Sequence, residues 1–278
     1  MELYVVVVAY GSPTLLDDAL EPLRGRPVIV VDNSSDAAVR GVVGAHGARY
    51  VDPGRNLGFG SAVNCGIRQA WADVGECDVV LLNPDAVVTS DALDRLHLAL
   101  HERPRTSAVA PVLVGETQQR SAWPWPSPRA MWREALRLDS SARDRQDWLV
   151  GAVLLINGAA YAAVGPFDER FFLYAEETDW QRRATAAGWG VRLVPEVQAG
   201  HVGAATSTDS RRREVLFHAG TETYIRKWFG PHGWWSYRLA AITGAAVRAL
   251  LPSSAGTAAR RRLGIYLRGP RNAAGFSA

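Results

Sequence analysis

Apolar residues come in short blocks along the first half of the chain, separated by polar turns. Leu3 to Ala9 is one such block, with four consecutive valines. It is too short for a stable helix and rich in β-branching, which predicts a strand buried on both faces. Tyr10-Gly11-Ser12-Pro13 interrupts it, and Leu15 to Leu23 returns at helical spacing. Val28 to Val31 predicts a second buried strand, ending in Asp32-Asn33-Ser34-Ser35. Tyr50-Val51 predicts a short third strand, and Ser61 to Trp71 a helix after Arg55-Asn56-Leu57-Gly58-Phe59-Gly60. Asp78 to Leu82 reads as a fourth strand, stopped at Asn83-Pro84-Asp85 because proline removes a ladder donor. Strands alternating with helices at this spacing predict βαβ units and a mostly parallel sheet of the α/β class.

The second half is less regular. Asp91 to His101 predicts a helix and Ala108 to Leu113 a strand. Gly115 to Asp147 has no clear period and carries Trp123, Trp125 and Trp132 among prolines and arginines. A loop this long inside a domain is usually functional or disordered, and its tryptophans either stack on sugar faces or pack on the fold. Trp148 to Ile156 reads as one central strand whose small Gly151 and Ala152 admit a close neighbour. A helix is expected over Glu176 to Ala187, stopped by Gly188, then a strand over Val191 to Pro195 and a helix over Arg211 to Phe229. Residues from Pro270 onward read as disordered.

Charge divides the chain. The net charge is +3, but no Asp or Glu follows Glu222, and nine basic residues do; residues 1–222 therefore carry −6. Basic residues confined to a tail, beside an acidic body, argue against nucleic-acid binding. Within the tail, Trp234-Trp235-Ser236-Tyr237-Arg238 opens an apolar stretch to Leu251 that Arg238 and Arg248 interrupt. It is too short between charges to span a bilayer, and aromatics beside arginine suit a helix lying at an anionic membrane surface. A helix packed on the sheet and a homodimer contact are the alternatives. Cys65 and Cys77 have no set of metal-ligand partners and suggest buried thiols in a reducing compartment. Leu3 to Ala9 lacks a basic flank and a cleavage site, so it reads as a strand and not a leader. Together these readings place the protein in the cytoplasm, with a peripheral position on the inner face of the plasma membrane if the tail docks there.

Several side chains suggest chemistry. The first strand runs into Ala9-Tyr10-Gly11-Ser12-Pro13, without the glycine pattern of dinucleotide binding, so a nicotinamide dehydrogenase is not expected. Asp85 lies just past the carboxyl end of a buried strand, where ligands bind in open α/β sheets; it either holds a divalent cation or caps the next segment. Asp32 at another strand end either accepts hydrogen bonds from a base or ribose, or forms an Asx-turn. Asn56 to Gly60 offers glycines before a helix, which suits close backbone approach by an anion or a plain loop-to-helix turn. Glu176, Glu177 and Asp179 fall in the first turn of one helix, where acids stabilise the dipole. Adjacent acids after an aromatic-rich segment also favour a raised pKa, as a general base requires. His201 either ligates a metal or is structural.

Four motifs in order, V-V-A-Y, V-D-N-S-S, R-N-x-G-F-G-x-x-x-N and L-L-N-P-D, resemble the nucleotide-binding half of family 2 glycosyltransferases. The likeness is strongest to members of rhamnosyltransferase type acting on bacterial cell-wall and polysaccharide precursors. It implies the GT-A fold, a nucleotide-sugar donor, Mn²⁺ or Mg²⁺, and inversion at the anomeric carbon. Ala9, Tyr10, Asp32, Asn33, Arg55, Asn56, Gly58, Asn64, Asn83 and Asp85 are then the expected donor-binding residues. Asn83-Pro84-Asp85 stands for the family's D-x-D with one carboxylate fewer, and His201, six residues before Ser207, matches its metal-binding histidine region, so Asp85 and His201 are the expected ligands. F-D-E-x-F-F-x-Y-x-E-E-x-D-W resembles the acceptor-side motif, which makes Glu177 the expected base, Glu176 its alternative and Asp179 a support. Trp123, Trp148 and Gly151 are the expected acceptor contacts. The acceptor is expected to be a glycan or a lipid-linked precursor, and rhamnose from a thymidine diphosphate donor is the sugar the resemblance suggests. Residues 1–230 would form the catalytic domain, with 1–115 its donor half and 116–230 its acceptor half, and 231–278 a basic extension. A sugar nucleotidyltransferase is a rival, but Leu3 to Leu23 lacks the lysine-bearing glycine loop. A non-catalytic nucleotide- or carbohydrate-binding protein of the same fold is the other.

Overall fold

A computed structural model describes residues 2–115, 119–138, 145–203 and 209–276. The chain divides into two compact units. One comprises Met1–Trp123, Arg145–Phe172 and Glu176–Thr208; the other comprises Pro124–Asp144, Leu173–Ala175 and Asp209–Ala278.

The first unit is a sheet with helices on both faces. Its elements are β1 (Leu3–Ala9), α1 (Pro13–Leu20), β2 (Val28–Asp32), α2 (Ala37–Ala45), β3 (Arg49–Val51), α3 (Phe59–Val74), β4 (Asp78–Leu82), β5 (Ala86–Val87), α4 (Ser90–Glu102), β6 (Thr106–Val114) and β7 (Ala122–Trp123). After α5 (Pro128–Ala135), which belongs to the second unit, come β8 (Trp148–Leu149), β9 (Val153–Ile156), α6 (Gly158–Val164), α7 (Glu176–Ala186) and β10 (Gly190–His201).

Among the described residues eight strands form one mixed sheet, in the order β3-β2-β1-β4-β9-β6-β10-β5. The strands β3, β2, β1 and β4 run parallel, as the alternating pattern predicts. The short β9 is inserted antiparallel between β4 and β6. The valines of β1 divide by parity: Val5 and Val7 face one core with α1, α2 and α4, while Val6 and Val8 face the other with α3, α6 and α7. Gly66 lets α3 lie close on β1, since a methyl group there would stand 2.4 Å from Val6 Cγ1.

Four expectations need correction. Trp148 to Ile156 is not one strand: the chain turns at Gly151-Ala152, so β8 pairs with β7 and β9 enters the main sheet. β10 does not stop at Pro195, which cannot donate to a ladder; its register shifts between Val194 and Gln198, and the strand resumes. The irregular stretch after Gly115 contains α5, capped by Ser127 Oγ accepting the Ala130 N–H at 3.1 Å. The residues from Pro270 are ordered through 276: α10 (Pro270–Ala273) follows Gly269, and Glu222 Oε2 accepts the Arg271 N–H at 3.1 Å.

In the second unit α8 (Ser210–Ala249) runs through a break at Gly230, φ 67°, before Pro231. It packs with α5, α9 (Ser254–Arg268) and α10. Trp132 Nε1 donates to Ser236 Oγ at 3.1 Å, so this tryptophan packs on the fold.

Candidate active site

The carboxyl ends of β1, β2 and β4 lie side by side, and the loops after them converge there. Beyond β2, the buried Asp32 carboxylate accepts from the Ser34 N–H and Oγ–H on Oδ1, and from the Asp36 N–H and Tyr50 O–H on Oδ2. Four internal donors satisfy both oxygens, so in this structure Asp32 is the brace of an Asx-type turn. Asn33 ties the next loop down: its Nδ2 donates to the Gly58 carbonyl at 3.1 Å and its Oδ1 accepts the Leu57 N–H at 3.2 Å. Asn56 Oδ1 accepts the Gly58 N–H at 2.9 Å. Tyr10, Arg55 and Asn56 are exposed at this edge, whereas Ala9 is wholly buried in β1.

Gly58 is required by its backbone. Its φ is 79° with ψ 175°, a region open only to glycine, and an added Cβ would stand 2.2 Å from the Phe172 carbonyl oxygen. The Phe59 N–H at the start of α3 donates to that same oxygen at 2.8 Å. At Gly58 the Phe172 carbonyl makes one such close backbone approach. Asn64 lies on α3. It is fully buried; its Oδ1 accepts from the Phe167 N–H and Tyr161 O–H, and its Nδ2 donates to the Phe167 carbonyl. It fastens the segment leading to the acids onto α3.

Beyond β4, the Asn83 N–H donates to the Ala152 carbonyl at 2.9 Å, and β5 pairs antiparallel with the end of β10. This pairing sets Ala86 opposite His201 and brings the buried Asp85 within reach of an imidazole 116 positions away. His201 Nε2 is 3.5 Å from Asp85 Oδ1. His201 Nδ1 lies 2.7 Å from Gln119 Oε1, and Gln119 Nε2 donates to the His201 carbonyl at 2.6 Å. An Nδ1–H donated to Gln119 leaves the Nε2 lone pair directed toward Asp85, the tautomer a metal needs. Two ligand atoms about 2.1 Å from one ion stand roughly 3.0–3.4 Å apart, close to this separation, so Asp85 and His201 could together hold a divalent cation. Ser207 lies outside the described residues.

The acids stand next to this edge. Tyr174 and Ala175, just before Glu176, have φ of 69° and 70°, a left-handed pair without glycine that costs roughly 1–3 kcal/mol per residue. Glu176 is buried against α3, its Cβ 3.3 Å from where a methyl group on Gly60 would stand. Burial raises its carboxyl well above the usual range, and the neighbouring Glu177 charge adds to that. Glu177 is half-buried and lies over Gly151, where a methyl group would stand 3.3 Å from its Cγ. Burial raises Glu177 too, opposed by hydrogen bonds from its own backbone and those of Thr178 and Gly151. One oxygen of each, Oε2, is enclosed and accepts no hydrogen bond from the described residues. Asp179 is buried and paired with Arg183 at 3.0 Å.

Two side chains that sequence reading passed over hold this arrangement. Gln181, buried in α7, accepts the Leu149 N–H and donates to the Leu149 carbonyl, both at 2.8 Å, which fixes the Gly151 turn against Glu177. Gln119 orients His201. Neither belongs to a motif; only the fold brings them to their partners, 32 and 82 positions away. Trp123 and Trp148 are cross-strand partners in the β7–β8 ribbon, with Arg120 over the exposed Trp123 ring at 4.2 Å.

The sequence pattern described as Glycosyl transferase family 2 matches residues 4–155. An N-acetylglucosaminyl-diphospho-decaprenol L-rhamnosyltransferase of Mycobacterium tuberculosis is 30% identical, over 83% of this chain and 85% of that protein. The rhamnosyltransferase WbbL of Escherichia coli is 20% identical, over 71% and 82%. Among solved structures, the mannosyltransferase PcManGT from Pyrobaculum calidifontis, in complex with GDP-Man and Mn²⁺, superposes with a TM-score of 0.60 at 16% identity, covering 99% of this chain and 83% of that one.

Proposed function

The chain belongs to glycosyl transferase family 2 and is a nucleotide-sugar glycosyltransferase of the GT-A fold; from that premise we propose that it moves rhamnose from dTDP-rhamnose, with inversion, onto a lipid-linked cell-wall or polysaccharide acceptor. The observation carrying the reading is the continuous edge from Asp85 and His201 through Asn83 and Ala152 to Gly151 and the acid pair. The sugar and the acceptor rest on the names of the two rhamnosyltransferase relatives.

In this reading the exposed edge of Tyr10, Arg55 and Asn56, with Ala9 and Asn33 behind it, receives the nucleotide. Asp32 and Gly58 shape that edge from within, and Asn83 faces the diphosphate. Asp85 and His201 would hold Mn²⁺ or Mg²⁺, and the bound ion would supply positive charge to the leaving diphosphate. Glu177 accepts the proton of an acceptor hydroxyl. The hydroxyl oxygen bonds to the anomeric carbon from the face opposite the diphosphate, whose C–O bond breaks with its electron pair. One direct displacement inverts the centre. Glu176 stays protonated beside the base, so the two acids do not share one charge state. Trp123 and Trp148 flank the acceptor side, beside the turn that carries Gly151.

The lipid-linked acceptor calls for contact with a membrane surface, and α8 supplies a face for it. No helix among the described residues is long and apolar enough to cross a membrane. After the break at Gly230, Trp234, Tyr237, Ala241 and Ala245 are buried, while Trp235, Leu239, Ile242, Ala246 and Leu250 follow one another at steps of three and four along the opposite side. Trp235, Leu239 and Leu250 are each more than half exposed. Arg238 lies over the Trp235 ring at 5.0 Å, and no acid occurs in this part of the chain. An apolar stripe flanked only by positive charge suits an anionic lipid interface.

The test is nucleoside diphosphate release from a panel of dTDP-, UDP- and GDP-sugars with Mn²⁺ or Mg²⁺, with and without polyprenyl-diphosphate-linked N-acetylglucosamine. Release from dTDP-rhamnose alone, dependent on acceptor and lost in Asp85→Ala, is expected. Release from a different donor would overturn the sugar assignment; release untouched by Asp85→Ala would overturn the metal assignment.

A further inference from the structure

β4 carries a second carboxylate at its other end. Asp78 opens the strand and its side chain is fully buried. Its Oδ1 accepts the Gly158 N–H at 2.8 Å. Its Oδ2 lies 2.8 Å from His97 Nε2 and 2.6 Å from His101 Nε2. The two histidines are four residues apart on α4, on one face of the helix, with ring centroids 5.2 Å apart. Among the described residues this is the one group of three or more His, Cys, Asp or Glu whose donor atoms all lie within 4.8 Å of one another. The sugar-transfer site, at the carboxyl ends of the strands, uses none of them.

Two imidazoles aimed at one oxygen of a buried carboxylate can be two N–H donors and nothing more. The same set, two histidines at i and i+4 on a helix and a carboxylate from another element, is also the three-ligand set of transition-metal sites. We propose that Asp78, His97 and His101 form a second metal site that binds Zn²⁺ or a similar late first-row ion, with its fourth position open to solvent beside His101. The donors decide the class: imidazole nitrogen suits zinc, whereas Mg²⁺ and Ca²⁺ seek oxygen. The present separations are shorter than the roughly 3.0–3.4 Å between ligands of one ion. Binding replaces the shared protons and opens the cluster by a few tenths of an ångström. The side chains of His97 and His101, 21% and 43% exposed, have room to move so. The ion would pin α4 to the start of β4, a structural role independent of sugar transfer.

The test uses the whole 278-residue chain, freed of metal and carrying Asp85→Ala and His201→Ala, which removes the other proposed pair of ligands. Zn²⁺ binding is measured by calorimetry, Co²⁺ binding by its visible absorption bands, and thermal midpoints with and without Zn²⁺. One equivalent of either ion is expected, with four-coordinate cobalt bands and a raised midpoint. Adding His97→Gln and His101→Gln should weaken binding at least about 100-fold and abolish the midpoint shift. Binding unchanged by those two substitutions, or no binding in the parent variant, would overturn the site and leave two imidazoles donating to a buried carboxylate. Because the readout is metal binding, neither result depends on which sugar is transferred.

Discussion

Glu176 and Glu177 are neighbours in sequence, yet they face different surroundings. Glu176 is packed on α3 and holds its proton to higher pH than it does in the unfolded chain. A carboxyl whose folded pKa is raised binds more protons folded than unfolded, so stability falls as pH rises from the ordinary 4.5 toward the folded value. The slope for one such group is about 1.4 kcal/mol per pH unit. Glu176→Gln is neutral and of the same shape. It should melt higher than the wild type at neutral pH, with a gap that grows with pH across that window and closes near pH 4. Thermal melts from pH 4 to 8 check this; parallel curves for the two proteins would place the buried charge elsewhere.

At the scale of elements, the turns and strand ends decide what can meet. Gly58→Ala meets both a glycine-only backbone and the Phe172 carbonyl. A loss of at least about 1–3 kcal/mol is expected for the backbone alone, read as a lower denaturation midpoint in urea; a midpoint unchanged from wild type would contradict the contact. The parallel strands were legible because β-branched runs of the right length sit between helical periods. The acid-bearing helix α7 was legible too, its start marked by acids and its stop by glycine. Val153 to Ile156 was legible as strand, but its separation from β8 was not, since a turn at Gly151-Ala152 leaves no polar residue to mark it. Proline at 195 reads as an end when only the pattern is seen, and the bulge appears once β6 is beside it. Ser127-Pro128 was a readable helix start for α5, masked by the prolines before it. Asp32 and Asn64 also make internal hydrogen bonds, to Tyr50 and Phe167, that their motifs do not encode. The meeting of Asp85 with His201 depends on β5 pairing with β10, which no local pattern encodes.

For the molecule as a whole, the basic tail of the sequence and its exposed apolar stripe belong to one helical unit. Attraction of about 1 kcal/mol per basic residue near an anionic surface, added to burial of the stripe, predicts co-sedimentation with phosphatidylglycerol vesicles. Binding should weaken with added salt and be far poorer to phosphatidylcholine. Trp235→Glu with Leu239→Glu should reduce it by tenfold or more, at about 1.4 kcal/mol per factor of ten. Equal binding to neutral vesicles would contradict the charge argument. A dimer in sedimentation velocity that those substitutions dissociate would assign the stripe to a second copy of the chain.

The proposed role of Glu177 is to take the acceptor's proton at the edge built by Asp85, His201 and Gly151. It is tested most directly by Glu177→Gln in the diphosphate-release assay, with calorimetry of donor binding on the same protein. Donor affinity is expected to stay within a few-fold of wild type while turnover falls by roughly 10²–10⁴, the usual contribution of a positioned base. Turnover near that of wild type, with the donor bound normally, would contradict it and move the proton transfer to another group.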